Sequence, residues 1–176
     1  MKRMLMTSRY WIYAVLAMAF MASCASSKKS SSPHVYMNKQ YKELKDVLNQ
    51  AEVSIINDSV KVIFPNNVLF ASSSDQLKEE IKPTFGRFAT ILNKYNKTKI
   101  LITGHTDSTG TASYNRELSE KRAASAKTLL SEYKVDSDRI FTWGLADRHP
   151  IASNSTEEGK ARNRRVEFVI LYDVKE

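Results

Sequence analysis

The stretch "GHTDSTGTASYNRELSEKRA", Gly104 to Ala123, places a glycine-bracketed polar loop directly ahead of a helix. The apolar run "KILIT", Lys99 to Thr103, reads as a short strand that delivers the chain into the loop. The spacing after the loop predicts a helix from about Ser113 to Tyr133, with Leu118, Ala126, Leu129, Leu130 and Tyr133 on its inner side. Arg122 lies four residues after Leu118 and four before Ala126, so it projects from that same side. A guanidinium stranded there without an anion costs several kcal/mol or more, so it needs a partner. Asn115 stands two turns earlier on the same face, roughly 10 Å away at 1.5 Å per residue. The strand is expected to end at Gly104, which brings Asp107 out at the sheet edge beside the N-terminal half of the helix. An acid, an amide and a base then share one small concavity. A ligand with both an ammonium and a carboxylate matches that set, and an α-amino acid head group is the simplest such ligand. The spacing equally allows Asp107 and Arg122 to pair with each other and fasten the loop to the helix.

The elements around this stretch follow from periodicity. "VSIINDSVKVIF" splits into two β-rich runs about Asn57 and Asp58, a hairpin signal, with Pro65 closing the second run. Leu77, Ile81, Phe85, Phe88, Ile91, Leu92 and Tyr95 follow a helical stripe that contains Pro83. Proline is tolerated in a first turn, so the regular helix starts near Pro83 and Ser72 to Lys82 is an irregular lead-in. Leu44, Val47, Leu48 and Ala51 predict a helix within Val35 to Glu52, and "RIFTWG" and "RRVEFVILY" predict two further strands. The order is helix, hairpin, helix, strand, helix, strand, strand, without internal repeats. It predicts an α+β two-layer sandwich, with helices packed on one face of a mixed β-sheet.

The chain has 176 residues and 42% hydrophobic content, ample for one packed domain and short for two. Residues 1–23 read as a secretory signal peptide: Lys2, Arg3 and Arg9 precede an apolar stretch that is short against the roughly 20 residues of a membrane span. The remainder divides into a lipidated tether over 24–34, a helical N-terminal extension over 35–52 and the domain over 53–176. Cys24 is the only cysteine, so no intramolecular disulfide forms despite export. "MASC" resembles a bacterial lipobox, which makes Cys24 the lipid attachment site, although Met21 replaces the more usual leucine. "SSKKSSSP", Ser26 to Pro33, is too polar to bury surface and reads as a tether. Removing the signal lowers the formal net charge from +8 to +5, a balance that suits acidic wall polymers or lipid head groups. Export argues against a nucleic-acid partner.

"GHTDSTG", "YNRELSEKRA", the later Asn154 and Gly159, and "NRRVEF" together resemble the OmpA-like peptidoglycan-binding domain, shared by the C-terminal half of OmpA and the peptidoglycan-associated lipoproteins. The likeness runs from about Val60 to Tyr172 and implies a βαβαββ-type arrangement. It implies that Asp107 and Arg122 bind the diaminopimelate of the peptidoglycan stem peptide, whose free end carries an α-amino and an α-carboxylate group. Asn115, Thr106 and Arg164 join them as site positions. Strand alternation lets only one of Arg164 and Arg165 face such a pocket. The implied protein is a lipoprotein of the outer membrane, its domain facing the periplasm, that ties membrane to wall. A protein-protein module of the envelope is the alternative. Many members carry an acid where this chain has Ala71, so that contribution to the pocket rim is absent.

Catalysis and metal binding find little support. His105 beside Asp107, with Ser108 or Thr109 as nucleophile, is poor evidence for a triad, because triads are recognised by three-dimensional geometry and not by spacing. His34, His105 and His149 are too dispersed to form a ligand cluster. No enzyme activity, cofactor or metal is expected.

Overall fold

The computed structural model describes residues 32–173; the expected signal peptide, Cys24 and most of the tether lie outside these residues. Helix α1 spans Pro33–Val47, with Pro33 in its first turn and Ser32 capping it through a hydroxyl that accepts from the Val35 amide. It therefore begins and ends earlier than the expected 35–52, because the cap and the proline set its start and Glu52 already belongs to a strand. Strands β1 (Glu52–Ile56) and β2 (Ser59–Pro65) form the hairpin, turning at Asn57 with φ 54°. A short helix α2 (Asn66–Leu69), which the sequence reading missed, follows Pro65. Helix α3 covers Lys82–Lys94 with Pro83 in its first turn, after an irregular lead-in closed by a 3-10 turn at Glu79–Ile81. Then come β3 (Thr98–His105), α4 (Ala112–Glu132), β4 (Ile140–Ala146), α5 (Glu157–Asn163) and β5 (Arg165–Tyr172). Helix α5 was also unforeseen.

The sheet order is β1-β2-β5-β3-β4, with β3 and β4 parallel and every other pair antiparallel, so the predicted mixed sheet is present. Alternation sends Val60, Val62, Phe64, Ile100, Ile102, Val166, Phe168 and Ile170 into a core shared with the helices. Phe64, Phe85, Phe88 and Phe168 meet there at ring-centroid distances of 5.2–6.3 Å, in edge-on or tilted contacts. Met37, Leu44 and Leu48 extend the core under α1, which thus packs into the domain as a third helix on the same face.

Two glycines set the distance between α4 and the sheet. A Cβ on Gly104 would lie 2.1 Å from the Ser119 carbonyl oxygen, and one on Gly144 would lie 2.3 Å from Glu120 Cγ. With hydrogens in their place, the helix backbone lies directly against β3 and β4. The Ser119 hydroxyl bridges the contact, donating to the Arg116 carbonyl and accepting from the Ala146 amide. This close seating puts Asn115 and Arg122 beside the loop that leaves β3.

Candidate functional site

Pro65, Arg165 and His105 stand side by side on β2, β5 and β3, so the next residues outward, Asn66, Arg164 and Thr106, form a row across three strand ends. The Asn66 amide donates to the Arg164 carbonyl at 3.0 Å, which continues the ladder one step beyond the strands. This row, the loop from Phe70 to Ser73, the loop after β3 and the first three turns of α4 line a groove of about 1230 Å³.

Arg122 is 3% exposed, as its place on the inner face required. It does not pair with Asp107. Its Nε donates to the Ser74 carbonyl at 2.9 Å, and its guanidinium carbon sits 5.3 Å from the centre of the Phe70 ring. Its two terminal nitrogens form no hydrogen bond among the described residues, although Arg122 lines the groove. Burial lowers its pKa from the ordinary value, and the charges of Tyr114 and Asp75 oppose the shift. An arginine nevertheless stays charged. The sequence alone could not find Phe70 and Ser74 as its supports, because they approach from a segment about fifty residues away.

Asp107 is 6% exposed and already engaged. Its Oδ1 accepts from the Thr109 amide at 2.8 Å, and its Oδ2 accepts from Arg164 Nη1. Burial pushes its pKa up, but the bonds from Arg164 and Thr109 outweigh burial and hold it below the usual carboxylate range. Asn115 is buried, and its Nδ2 donates to the carbonyls of Asp107 and Thr109 at 3.3 and 3.0 Å. Its donors therefore pin the loop, and only its carbonyl oxygen remains for a ligand. Thr106 is buried at the groove wall, with a hydroxyl that has no partner among the described residues.

The two arginines after Asn163 separate as strand alternation demands. Arg164 reaches Asp107 in the groove. Arg165 is 2% exposed and donates to Glu167, the Asn163 carbonyl and the His149 carbonyl. Glu167 also pairs with Lys61 at 2.7 Å. His105 belongs to this second polar cluster: its Nε2 is 3.1 Å from Thr103 Oγ1, and neither ring nitrogen bonds to Ser108 or Thr109. Burial, reinforced by the Arg165 charge, lowers its pKa to about 4.

Ala71 is exposed at the groove rim. The loop it opens contributes a main-chain carbonyl, that of Ser74, rather than a carboxylate to Arg122.

A family model described as the OmpA family matches residues 69–164, more than half of the chain. The chain belongs to the OmpA family. The probable lipoprotein YiaD of Escherichia coli K12 is 44% identical over 137 residues, which cover 77% of this chain and 63% of that relative, so the chain spans less than two thirds of its length. Among solved structures, the cell wall anchor of the T6SS from Pseudomonas aeruginosa superposes with a TM-score of 0.69 at 34% identity, covering 76% of this chain and 97% of that one. The peptidoglycan-associated lipoprotein from Burkholderia pseudomallei gives 0.54 at 30% identity, covering 58% and 87%. These three are named as lipoproteins or as a wall anchor rather than as enzymes, in agreement with the non-catalytic reading of the sequence.

Proposed function

We infer that the groove of this OmpA-family domain binds peptidoglycan noncovalently by taking the free amino-acid end of diaminopimelate in the stem peptide. The observation that carries the reading is Arg122: a buried guanidinium whose terminal nitrogens have no partner among the described residues while it lines an open groove. Such a fork is completed by a carboxylate. The ammonium of the same head group then meets the Asp107 and Arg164 pair. Asp107 is only partly neutralised there, because Arg164 is itself half-exposed and can turn toward solvent or toward a second ligand group. The Asn115 carbonyl oxygen supplies a further acceptor at the same end of the groove, while the Thr106 hydroxyl lies buried in the wall behind it.

Kinship with proteins named as a lipoprotein, a cell wall anchor and a peptidoglycan-associated lipoprotein supports an envelope location and a wall ligand. In this reading a lipid at Cys24 fixes the chain to the outer membrane and the domain grips the wall from the periplasmic side. The protein thereby ties two layers together mechanically. Contacts with other envelope proteins are secondary.

Sedimentation of the purified protein with isolated sacculi, with and without added diaminopimelate, tests the reading. Binding that diaminopimelate competes away, and that Asp107→Asn weakens about tenfold or more, is expected from the loss of one charge-assisted contact. Binding indifferent to both would remove the head-group assignment.

A further inference from the structure

The groove is larger than an amino-acid head group requires. Its volume of about 1230 Å³ exceeds the roughly 300–1,000 Å³ typical of small-molecule sites, and its lining continues past Arg164 to Asn66, Asn67 and Lys78. Asn66 is 8% exposed, and its side-chain oxygen has no hydrogen-bond partner among the described residues. That oxygen is itself sealed from solvent, and the amide makes no side-chain hydrogen bond among the described residues, so the free energy of leaving it unpaired is recovered only when the amide turns to meet a partner in the groove. A half-turn of the amide exchanges its oxygen and nitrogen, so the side chain offers the groove an acceptor or a donor. Lys78 stands next to it, its ammonium donating to the Asn67 carbonyl at 2.7 Å. It forms no salt bridge among the described residues.

Adjacent strands lie about 4.8 Å apart, so Asn66 sits roughly 10 Å across the row from Thr106, with Arg164 between them. One head group cannot reach both ends of the row. A ligand whose head group is carried on a short aliphatic arm can, because its main chain then falls over Asn66.

We propose that Asn66 and Lys78 form a second subsite, which holds the main-chain peptide unit of the wall stem and a free carboxylate beside it. The subsite rests on the head-group reading above. Asn66 pairs with a backbone amide of the stem, and the Lys78 ammonium takes the carboxylate that its surroundings leave unsupplied. The groove consequently reads a peptide segment, and prefers stems whose carboxylates are free over stems in which they are carboxamides.

The test compares two ligands on the full chain in detergent by isothermal titration or NMR shift perturbation. D-norleucine presents the head group on an apolar tail. The tripeptide L-Ala-γ-D-Glu-meso-diaminopimelate presents head group and main chain together. Asn66→Ala is expected to weaken the tripeptide about five- to tenfold, the size of one hydrogen bond, and to leave D-norleucine unchanged. Lys78→Gln, a change at a partly exposed position, is expected to weaken the free-acid tripeptide similarly and to have little effect on the form with glutamate as its carboxamide. Equal weakening of both ligands by Asn66→Ala would mark a structural role, and no weakening of either would show the groove extension to be unused; each overturns the subsite. Failure of the parent chain to bind either ligand would instead overturn the head-group reading itself.

Discussion

Replacing Arg122 by methionine separates its cost to the fold from its use in binding. The side chain is 3% exposed and faces no carboxylate within salt-bridge distance among the described residues, so the unbound protein carries a buried charge whose desolvation costs several kcal/mol. Against this stand the bond to the Ser74 carbonyl, about 1.5–3 kcal/mol for a charged donor, and the contact with Phe70, roughly 0.5–2 kcal/mol. Methionine matches the aliphatic length, keeps an apolar contact with Phe70 and removes the charge, while leaving the Ser74 carbonyl unpaired. The opposing contributions nearly cancel. The net change in stability is expected within about 1 kcal/mol of zero, or a few degrees in Tm for a chain of this size. Wall binding loses a charge-assisted fork worth about 1.5–3 kcal/mol, which is roughly ten- to 150-fold in affinity. Urea unfolding measured beside sacculus sedimentation decides the matter. A variant destabilised by more than about 3 kcal/mol would make Arg122 a structural keystone, and a stable variant that still sediments like the parent would refute its role as the carboxylate clamp.

Other perturbations follow from the same geometry. His105 has a folded pKa lowered to about 4, below its unfolded value near 6.5, so the unfolded chain binds more protons between those limits and stability falls as pH drops through that window. Urea unfolding at pH 7 and pH 4.5 should show a loss of about 2.4 kcal/mol attributable to this group, and His105→Asn should flatten the slope. Asp107 acts in a lower window: with its folded pKa depressed, its stabilisation is complete above about 4 and is lost only as pH falls further. Gly104→Ala drives a methyl into the Ser119 carbonyl and should lower the Tm by more than about 10 °C, or prevent folding, as a melt would show. Deleting Ser26 to Ser31 spares the Ser32 cap; it should leave affinity for isolated sacculi unchanged and reduce in-cell crosslinking to peptidoglycan, because α1 is packed into the core and adds no reach. Equal crosslinking would show the segment to be dispensable.

Local sequence signals determined the order of the five strands and the three long helices, the hairpin at Asn57, the start of α3 at its proline and the α+β sandwich, though not the short helices α2 and α5, because each depends on residues close in sequence. The burial of Arg122 was equally legible, since a helix fixes which residues share a face. The choice between Arg164 and Arg165 was legible only as a choice: alternation forbids both from entering the groove, but the register of β5 between β2 and β3 decides which one does. Tertiary structure also revealed that Asp107 is held by Arg164 rather than by Arg122, that Asn115 spends its donors on the loop, and that α1 belongs to the core. It brought Ser74, Phe70 and Asn66 to the site from a segment with no periodic signature of its own. These outcomes depend on contacts between residues tens of positions apart, set by sheet order and by the close approach that Gly104 and Gly144 permit. Local spacing carries no information about such contacts, because a side chain's partner is chosen by the packing of the whole domain.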